Sequence, residues 1–216
     1  MIQLNHGDCL EAMKRMDDNQ FDLAIVDPPY GINIVDEFKK TKKSDTSMFR
    51  GSNGIVGNGD WDKDIPKKEY FIELIRVSKN QIIWGGNYFL DYLYNTRCFL
   101  VWDKMNGTNP MADAELAWTS FNKSVRMFRW HHFSGERVVK IHPTQKPVTL
   151  YEWILDNYAK PGDRILDTHL GSGSIAIACH NRGFALDAWE IDAEYHANAV
   201  KRFNQHKQQL TIFSND

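Results

Sequence analysis

The chain has 216 residues, with 26 Lys+Arg against 28 Asp+Glu, a formal net charge of −2, and 42% apolar residues. This length suits one domain, or at most two small ones, around a buried core. A charged fraction of 25% excludes a disordered chain, and the balance of signs excludes a strongly basic nucleic-acid binder taken as a whole.

In chain order, Ile2–Leu4 reads as a short strand and Leu10–Met16 as a helix. Leu23–Val26 is a buried strand that runs into Asp27-Pro28-Pro29-Tyr30. Residues 31–64 read as a long polar loop, with Gly51, Gly54, Gly57 and Gly59 in it. Lys67–Ser78 is predicted helical, with Tyr70, Phe71, Leu74, Ile75 and Val77 as its apolar side. Gln81–Trp84 and Cys98–Trp102 are strands around a helix near Tyr88–Tyr94. Ala114–Ser120 and Val125–Trp130 are weaker strands. Pro147 starts a helix over Leu150–Tyr158, and a Pro-Gly turn leads to the strand Ile165–Leu166. Then follow a helix at Ser174–Asn181, a strand at Ala185–Trp189, a helix at Ala193–His206 and a loose tail over 207–216. Strands alternating with helices predict an α/β fold with a largely parallel sheet.

No apolar run approaches the ~20 residues of a bilayer span, and the N-terminus lacks the layout of a secretory signal. Cys9, Cys98 and Cys179 are odd in number and widely spaced, which points to a reducing compartment. The charge is unevenly placed. Glu37–Arg50 carries five Lys/Arg and two acids, and Lys123–Lys146 carries six Lys/Arg and one acid. The second segment also holds His131, His132, His142, Phe128, Trp130 and Phe133. Basic residues interleaved with aromatics are a footprint for nucleic acid, since bases stack on rings. A solvated loop is the ordinary fate of a charge run such as Lys39–Lys43. The histidines have no paired ligand spacing, so no metal is expected.

Two motifs carry chemistry. Ile165 to Ser174 is strand, glycine turn and helix start, with Gly171 and Gly173 allowing close backbone approach to a ligand. Glu190 ends the next strand, where an acid accepts hydrogen bonds from ribose hydroxyls. The pair indicates a nucleoside-bearing cofactor without saying which one, since Gly171-x-Gly173-x-x-Ala176 also fits the dinucleotide fingerprint. Asp27-Pro28-Pro29-Tyr30 is the more specific motif. Two prolines fix φ and remove two N–H donors, which leaves a rigid acceptor-only turn beside an aromatic ring. Such a turn suits an aromatic amino group. Asp27 and the Pro28 carbonyl would each accept one of its N–H bonds, and Tyr30 would stack on the extruded base.

These residues, with Gly7-Asp8-Cys9-Leu10, Gly59-Asp60-Trp61-Asp62-Lys63, Trp84-Gly85-Gly86-Asn87-Tyr88-Phe89, His142-Pro143-Thr144-Gln145-Lys146-Pro147 and Trp189-Glu190-Ile191-Asp192, resemble the circularly permuted, beta-class amino-group DNA methyltransferases that use S-adenosylmethionine. The resemblance covers nearly the whole chain. It implies one catalytic domain over 1–216, a Rossmann-like sheet of about seven mostly parallel strands with helices on both faces, and an antiparallel edge strand near 114–120. It implies DNA-recognition insertions at about 31–64 and 103–140. Asp27, Pro28, Pro29 and Tyr30 would be catalytic. Asp8, Cys9, Gln145, Lys146, Asp167, Gly171, Gly173 and Glu190 would bind the cofactor: the glycines the methionine part, Glu190 the ribose, Asp8 the adenine end, with the Gln145–Lys146 segment closing over it. Lys39, Lys40, Lys42, Lys43, Arg126, Arg129, His131 and His132 would contact double-stranded DNA. The usual Asp-Pro-Phe before the glycine turn is here Asp167-Thr168-His169, which removes a rigid kink and an apolar wall.

The implied reaction is methyl transfer to adenine N6 by base flipping, with S-adenosylhomocysteine as product and no metal. Cytosine N4 is the alternative acceptor, and RNA the alternative substrate. Asp at the first position of the tetrapeptide goes mostly with adenine in this family. A protein-glutamine acceptor, a nucleotide-dependent oxidoreductase and a non-catalytic DNA-binding relic are rival readings. The expected setting is the cytoplasm, bacterial or phage-encoded. A homodimer sharing the DNA contact and a restriction endonuclease on a separate chain are the expected partners.

Overall fold

The computed structural model describes residues 1–33, 62–106, 112–130, 141–142 and 144–213. Lys39, Lys40, Lys42, Lys43, His131 and His132 lie outside the described residues, as does most of the predicted 31–64 loop.

Eight strands form one sheet: β1 (Ile2–His6), β2 (Phe21–Val26), β3 (Ser78–Trp84), β4 (Phe99–Asp103), β5 (Ala114–Thr119), β6 (Arg126–Arg129), β7 (Arg164–Asp167) and β8 (Ala185–Glu190). Their order is β1-β8-β7-β2-β3-β5-β4-β6. The pairs β1–β8, β8–β7, β7–β2, β2–β3 and β4–β6 are parallel, whereas β5 runs antiparallel to both β3 and β4. The α/β, mostly parallel, Rossmann-like reading therefore holds, with eight strands in place of about seven. The expected antiparallel strand near 114–120 is present as β5, but it lies inside the sheet, and the edge on that side is β6.

Among the described residues the helices are α1 (Cys9–Met13), α2 (Lys68–Val77), α3 (Val148–Tyr158), α4 (Ser174–Arg182) and α5 (Ala193–Phe213). They cover both faces, because successive strand residues point to opposite sides. On β2, Leu23 and Ile25 join one core with Leu150 and Ile154 of α3, Ile175 of α4, and Ala199 and Phe203 of α5. Ala24 and Val26 join the other with Met13 of α1 and Tyr70, Phe71, Leu74 and Val77 of α2. A central parallel strand buried on both faces needs such a continuous apolar run. On α2 the buried positions recur with helical spacing, as expected for one apolar stripe facing a sheet.

Two local expectations change. Tyr88–Tyr94 contains no α-helix; a 3-10 turn over Gly86–Tyr88 takes its place, entered through Gly85 at φ +67°. The tail does not begin at Lys207, since α5 continues to Phe213. Among the described residues no helix is long and apolar enough to cross a membrane.

Candidate active site

The chain leaves β2 toward β3 on one side, and leaves β7 toward β8 on the other, although β2 and β7 are neighbours. The carboxyl ends of two such strands frame the crevice where open α/β sheets bind ligands. Asp27 follows β2 and Asp167 ends β7, so the two motifs, distant in sequence, meet at this point.

The Asp27-Pro28-Pro29-Tyr30 turn is pinned from outside. Its prolines offer no N–H, and the next two amides, of Tyr30 and Gly31, both donate to Asp62 Oδ1 at 2.8 and 3.1 Å. Asp62 is 2% exposed. An ionised acceptor of two backbone N–H bonds is among the stronger pins available to a turn.

Both Asp27 oxygens are engaged. The Tyr30 hydroxyl donates to Oδ1 at 2.6 Å, and the Lys146 ammonium donates to Oδ2. Lys146 also lies 3.0 Å from Glu115 Oε2, and Glu115 Oε1 pairs with Lys104 at 2.6 Å. The cluster thus holds two carboxylates and two ammonium groups. The sheet explains the convergence. The antiparallel β5 brings its first residues, Glu115 among them, to the edge where the parallel strands end, and Lys104 follows β4 there. Burial pushes the Asp27 carboxyl upward, against the opposing pull of Lys146. Burial also works against charge on Glu115, but Lys146 and Lys104 overcome it and bring its carboxyl down to about 2. Glu115 and Lys104 escaped the sequence reading. Lys146 was expected near the cofactor, and its ammonium lies on Asp27.

The Tyr30 ring stacks on Tyr88, with centroids 5.0 Å apart and planes 14° apart, and meets Phe89 edge-on at 6.2 Å. Tyr88 is 44% exposed, so the pair forms a two-ring platform with one open flank.

On the other side of the crevice, Gly171 and Gly173 adopt φ +51° and +73°, the left-handed region that favours glycine. Glu190 accepts from Gly171 N at 2.9 Å through Oε2 and from Asp192 N at 3.0 Å through Oε1. A carboxylate has about four acceptor sites, so lone pairs remain for a ligand. Segment 144–147 is tied to this turn: Ser174 Oγ donates to the Lys146 carbonyl at 2.7 Å, and Arg202 donates to the Ser172 carbonyl and to Ser174 Oγ. Gln145 is buried, and its Oε1 accepts from Ile141 N. Asp8 caps α1 by accepting from the amides of Leu10 and Glu11. Burial, with Asp8 adjoining, pushes the Cys9 thiol up to about 12, so Cys9 is no nucleophile. Among the described residues no group of His, Cys, Asp and Glu could hold a metal ion.

Thr168 and His169, which follow Asp167, build a wall of their own. Tyr70 Oη and Thr168 Oγ1 lie 2.6 Å apart, Thr168 Oγ1 and His169 Nδ1 2.9 Å, and the His169 ring meets Tyr70 edge-on. Burial lowers the His169 imidazole to about 4, so at neutral pH it is an uncharged flat ring. The unfolded chain binds this proton near pH 6.5, so His169 costs stability as pH falls from 6.5 toward 4. His169→Phe is therefore expected to stabilise the protein against acid by about 2 kcal/mol near pH 5. At pH 8 little should change. Acid-unfolding curves of the two proteins check this, and identical midpoints would count against it.

Of the expected DNA contacts, only Arg126 and Arg129 are described. Both are exposed on edge strand β6, and Arg129 pairs with Asp103 at 3.3 Å. Three positions apart on a strand, they face opposite sides and form no single patch. Lys123 is drawn onto the body, over the Tyr158 ring and toward the Asn157 carbonyl.

The chain is similar to known proteins. Residues 101–201 match a family model described as DNA methylase, of the N6/N4 type. The type II methyltransferase M.HpaI of Haemophilus parainfluenzae is 25% identical, over 92% of this chain and 73% of its own length. M2.DpnII of Streptococcus pneumoniae is also 25% identical, over 92% and 88%. Among solved structures, M1.HpyAVI in complex with SAM superposes with TM-score 0.60 at 23% identity, over 94% of this chain and all of that one. The cytosine-N4-specific PvuII DNA methyltransferase superposes with TM-score 0.58 at 11% identity, over 96% and 93%.

Proposed function

We propose that this chain, which matches a DNA methylase family model over residues 101–201, is an S-adenosylmethionine-dependent DNA methyltransferase whose acceptor is the N6 amino group of adenine. The observation that carries the reading is Asp27. It is a half-buried carboxylate followed by two prolines that offer no N–H donor, set at the strand junction opposite the glycine turn.

The residues present fit the cofactor: two left-handed glycines, and a carboxylate with acceptor capacity to spare. Gly171 and Gly173 would hold its methionine part, Glu190 its ribose hydroxyls, and Asp8 and Cys9 its adenine end. Asp167 and Gln145 would complete the wall. When bound, S-adenosylmethionine supplies a sulfonium methyl that the amine takes, leaving S-adenosylhomocysteine.

The chain's own residues prepare the amine. An aromatic amino group is a poor nucleophile, because its lone pair is delocalised into the ring. Accepting its two N–H bonds at Asp27 and at the Pro28 carbonyl draws the nitrogen toward tetrahedral geometry and frees that pair. Tyr30, backed by Tyr88, is the platform for a base taken out of the stack. The turn braced by Asp62 holds these acceptors in place, so most of the rate comes from positioning and electrostatics. No strong base is needed, since the methylated amine loses its proton to solvent.

For the finer partners, the reading includes duplex DNA bound through the basic segments 37–50 and 123–146, in the bacterial or phage-infected cytoplasm. It also includes a homodimer and a restriction endonuclease on a separate chain. Expression in a host lacking DNA methylation, followed by mapping of modified bases, tests the proposal. N6-methyladenine at a short or relaxed motif is expected, N4-methylcytosine would replace adenine by cytosine, and an unmodified genome would overturn the proposal.

A further inference from the structure

We propose that Lys146 is a place-holder for the target amine. Without a base its ammonium occupies the Asp27 oxygen that an incoming amino group needs, and when the base arrives it retreats onto Glu115. The inference rests on the reading of Asp27 as the amine acceptor and assigns Lys146 a part in that step as a positioning residue.

Three observations carry it. First, both Asp27 oxygens are taken: Oδ1 by the Tyr30 hydroxyl at 2.6 Å and Oδ2 by Lys146. Each oxygen keeps a second lone pair, but an amino group that approaches Oδ2 meets the buried Lys146 ammonium there, so the two donors compete for that oxygen. Tyr30 is packed between Tyr88 and Phe89 on a braced turn, so Lys146 is the partner free to yield. Second, Lys146 has a second anion within reach, with Glu115 Oε2 at 3.0 Å. Lys104 pairs with the other oxygen, Oε1, so Glu115 receives both lysines without conflict. Third, the ammonium sits over the Trp84 indole at 5.3 Å, and the side chain is 2% exposed. The ring face favours the cation along a short path between the carboxylates, and burial keeps the charge from leaving for water.

The chemistry of exchange is matched. An ammonium and an arylamine are both N–H donors of similar size toward one carboxylate oxygen. Replacing the charged donor by the neutral one would strand a buried cation unless a second carboxylate receives it. Glu115 is that carboxylate. With Lys146 resting on Asp27, the acceptor stays ionised and shielded in the absence of a base. Besides Asp27, Glu115 and Lys104, the titratable groups that face the cluster are Tyr30 on the Asp27 turn, Asp167 after β7, His142 before α3 and Tyr151 on α3.

The test uses the full chain, unmethylated genomic duplex DNA and labelled S-adenosylmethionine, in single-turnover reactions between pH 6.5 and 10. In Glu115→Gln, which keeps side-chain volume, Lys146 has only Asp27 as an anion and yields poorly. Methyl transfer is expected to slow about tenfold or more at pH 7.5, and because Asp27 alone still holds the Lys146 proton above its ordinary range, the loss persists up to pH 10. Affinity for DNA and for cofactor should stay within about threefold. In Lys146→Met, half-buried Asp27 is without its cation and takes up a proton. Transfer is again depressed at neutral pH and recovers as that proton is lost. A wild-type rate in folded Glu115→Gln together with a wild-type pH profile in folded Lys146→Met overturns the proposal, whatever their thermal stability, because a purely structural ion pair would move stability alone. Rates are scored against wild type. A wild type that transfers no methyl to DNA would overturn the parent reading, which is a separate result.

Discussion

Asp27→Ala is expected to lower methyl transfer at least about a thousandfold while leaving cofactor affinity within about threefold. Removing one preorganised electrostatic group at a reacting centre costs ~10²–10³ in rate, and here a second effect adds to it. Asp27 is the only carboxylate on the rigid turn, and it also holds the Tyr30 hydroxyl at 2.6 Å. Without it the platform loses its anchor, and Lys146 is left to Glu115. The glycine turn and Glu190 belong to β7, α4 and β8, so their hydrogen bonds are untouched. Titration with S-adenosylmethionine, beside incorporation of labelled methyl groups, separates the two effects. Undiminished turnover would remove Asp27 from the mechanism, and a parallel loss of cofactor binding would mean general damage instead. Asp27→Asn, which keeps one acceptor oxygen and loses the charge, should fall between alanine and wild type.

Gly85→Ala is expected to be nearly as damaging, through shape rather than charge. Gly85 turns the chain out of β3 at φ +67°, and a Cβ there would lie 2.2 Å from Tyr30 Cε1. The left-handed backbone alone costs an L-residue ~1–2 kcal/mol. Relief would require moving a ring held by Tyr88, Phe89 and the Asp27 carboxylate. Overpacking of this kind adds ~1–3 kcal/mol, so a total loss of about 3 kcal/mol is expected. A fall of about a hundredfold in turnover should accompany it as Tyr30 leaves Asp27. Gly162→Ala is the matched control, since it shares a positive φ, at +92°, but its Cβ would meet nothing within 4 Å. Denaturant curves and initial rates of the two variants read the Tyr30 contact by difference. Equal stabilities and full activity in both would dismiss the packing argument.

What could be read from the sequence was local. Asp27-Pro28-Pro29-Tyr30 and Gly171-Ser172-Gly173 act through backbone geometry that their own residues dictate, so both appear where expected. The strands were legible because a doubly buried strand leaves a continuous apolar run, as in Phe21–Val26. Glu115 was hidden for the opposite reason. In Ala114–Thr119 it looks like a polar residue on a half-buried strand, and only insertion of that strand between β3 and β4 brings it to Lys146. Lys146 was noticed but its direction was not, because the residue precedes a helix whose docking depends on the Ser174 and Arg202 contacts. Phe89-Leu90-Asp91-Tyr92-Leu93-Tyr94 suggests a helix on periodicity. The close approach of Gly86 to Trp118, where a Cβ would come within 2.4 Å, forces a tighter turn. The polar run after His206 hid the continuation of α5, since nothing in Lys207-Gln208-Gln209 marks an apolar face.

The pairing of Ile2–His6 with Leu186–Glu190 also sets an order of events during synthesis. Strand β1 is made long before its partner β8, so that pairing cannot form until β8 has been made. Until then β1 is a short, unpaired ribbon, and pairing across so long a separation is slow by nature. Its polar residues Gln3, Asn5 and His6, set among Ile2 and Leu4, keep that ribbon from being uniformly apolar. A nascent chain held in this state is one that translation speed, more than final stability, would protect from sticking to its neighbours.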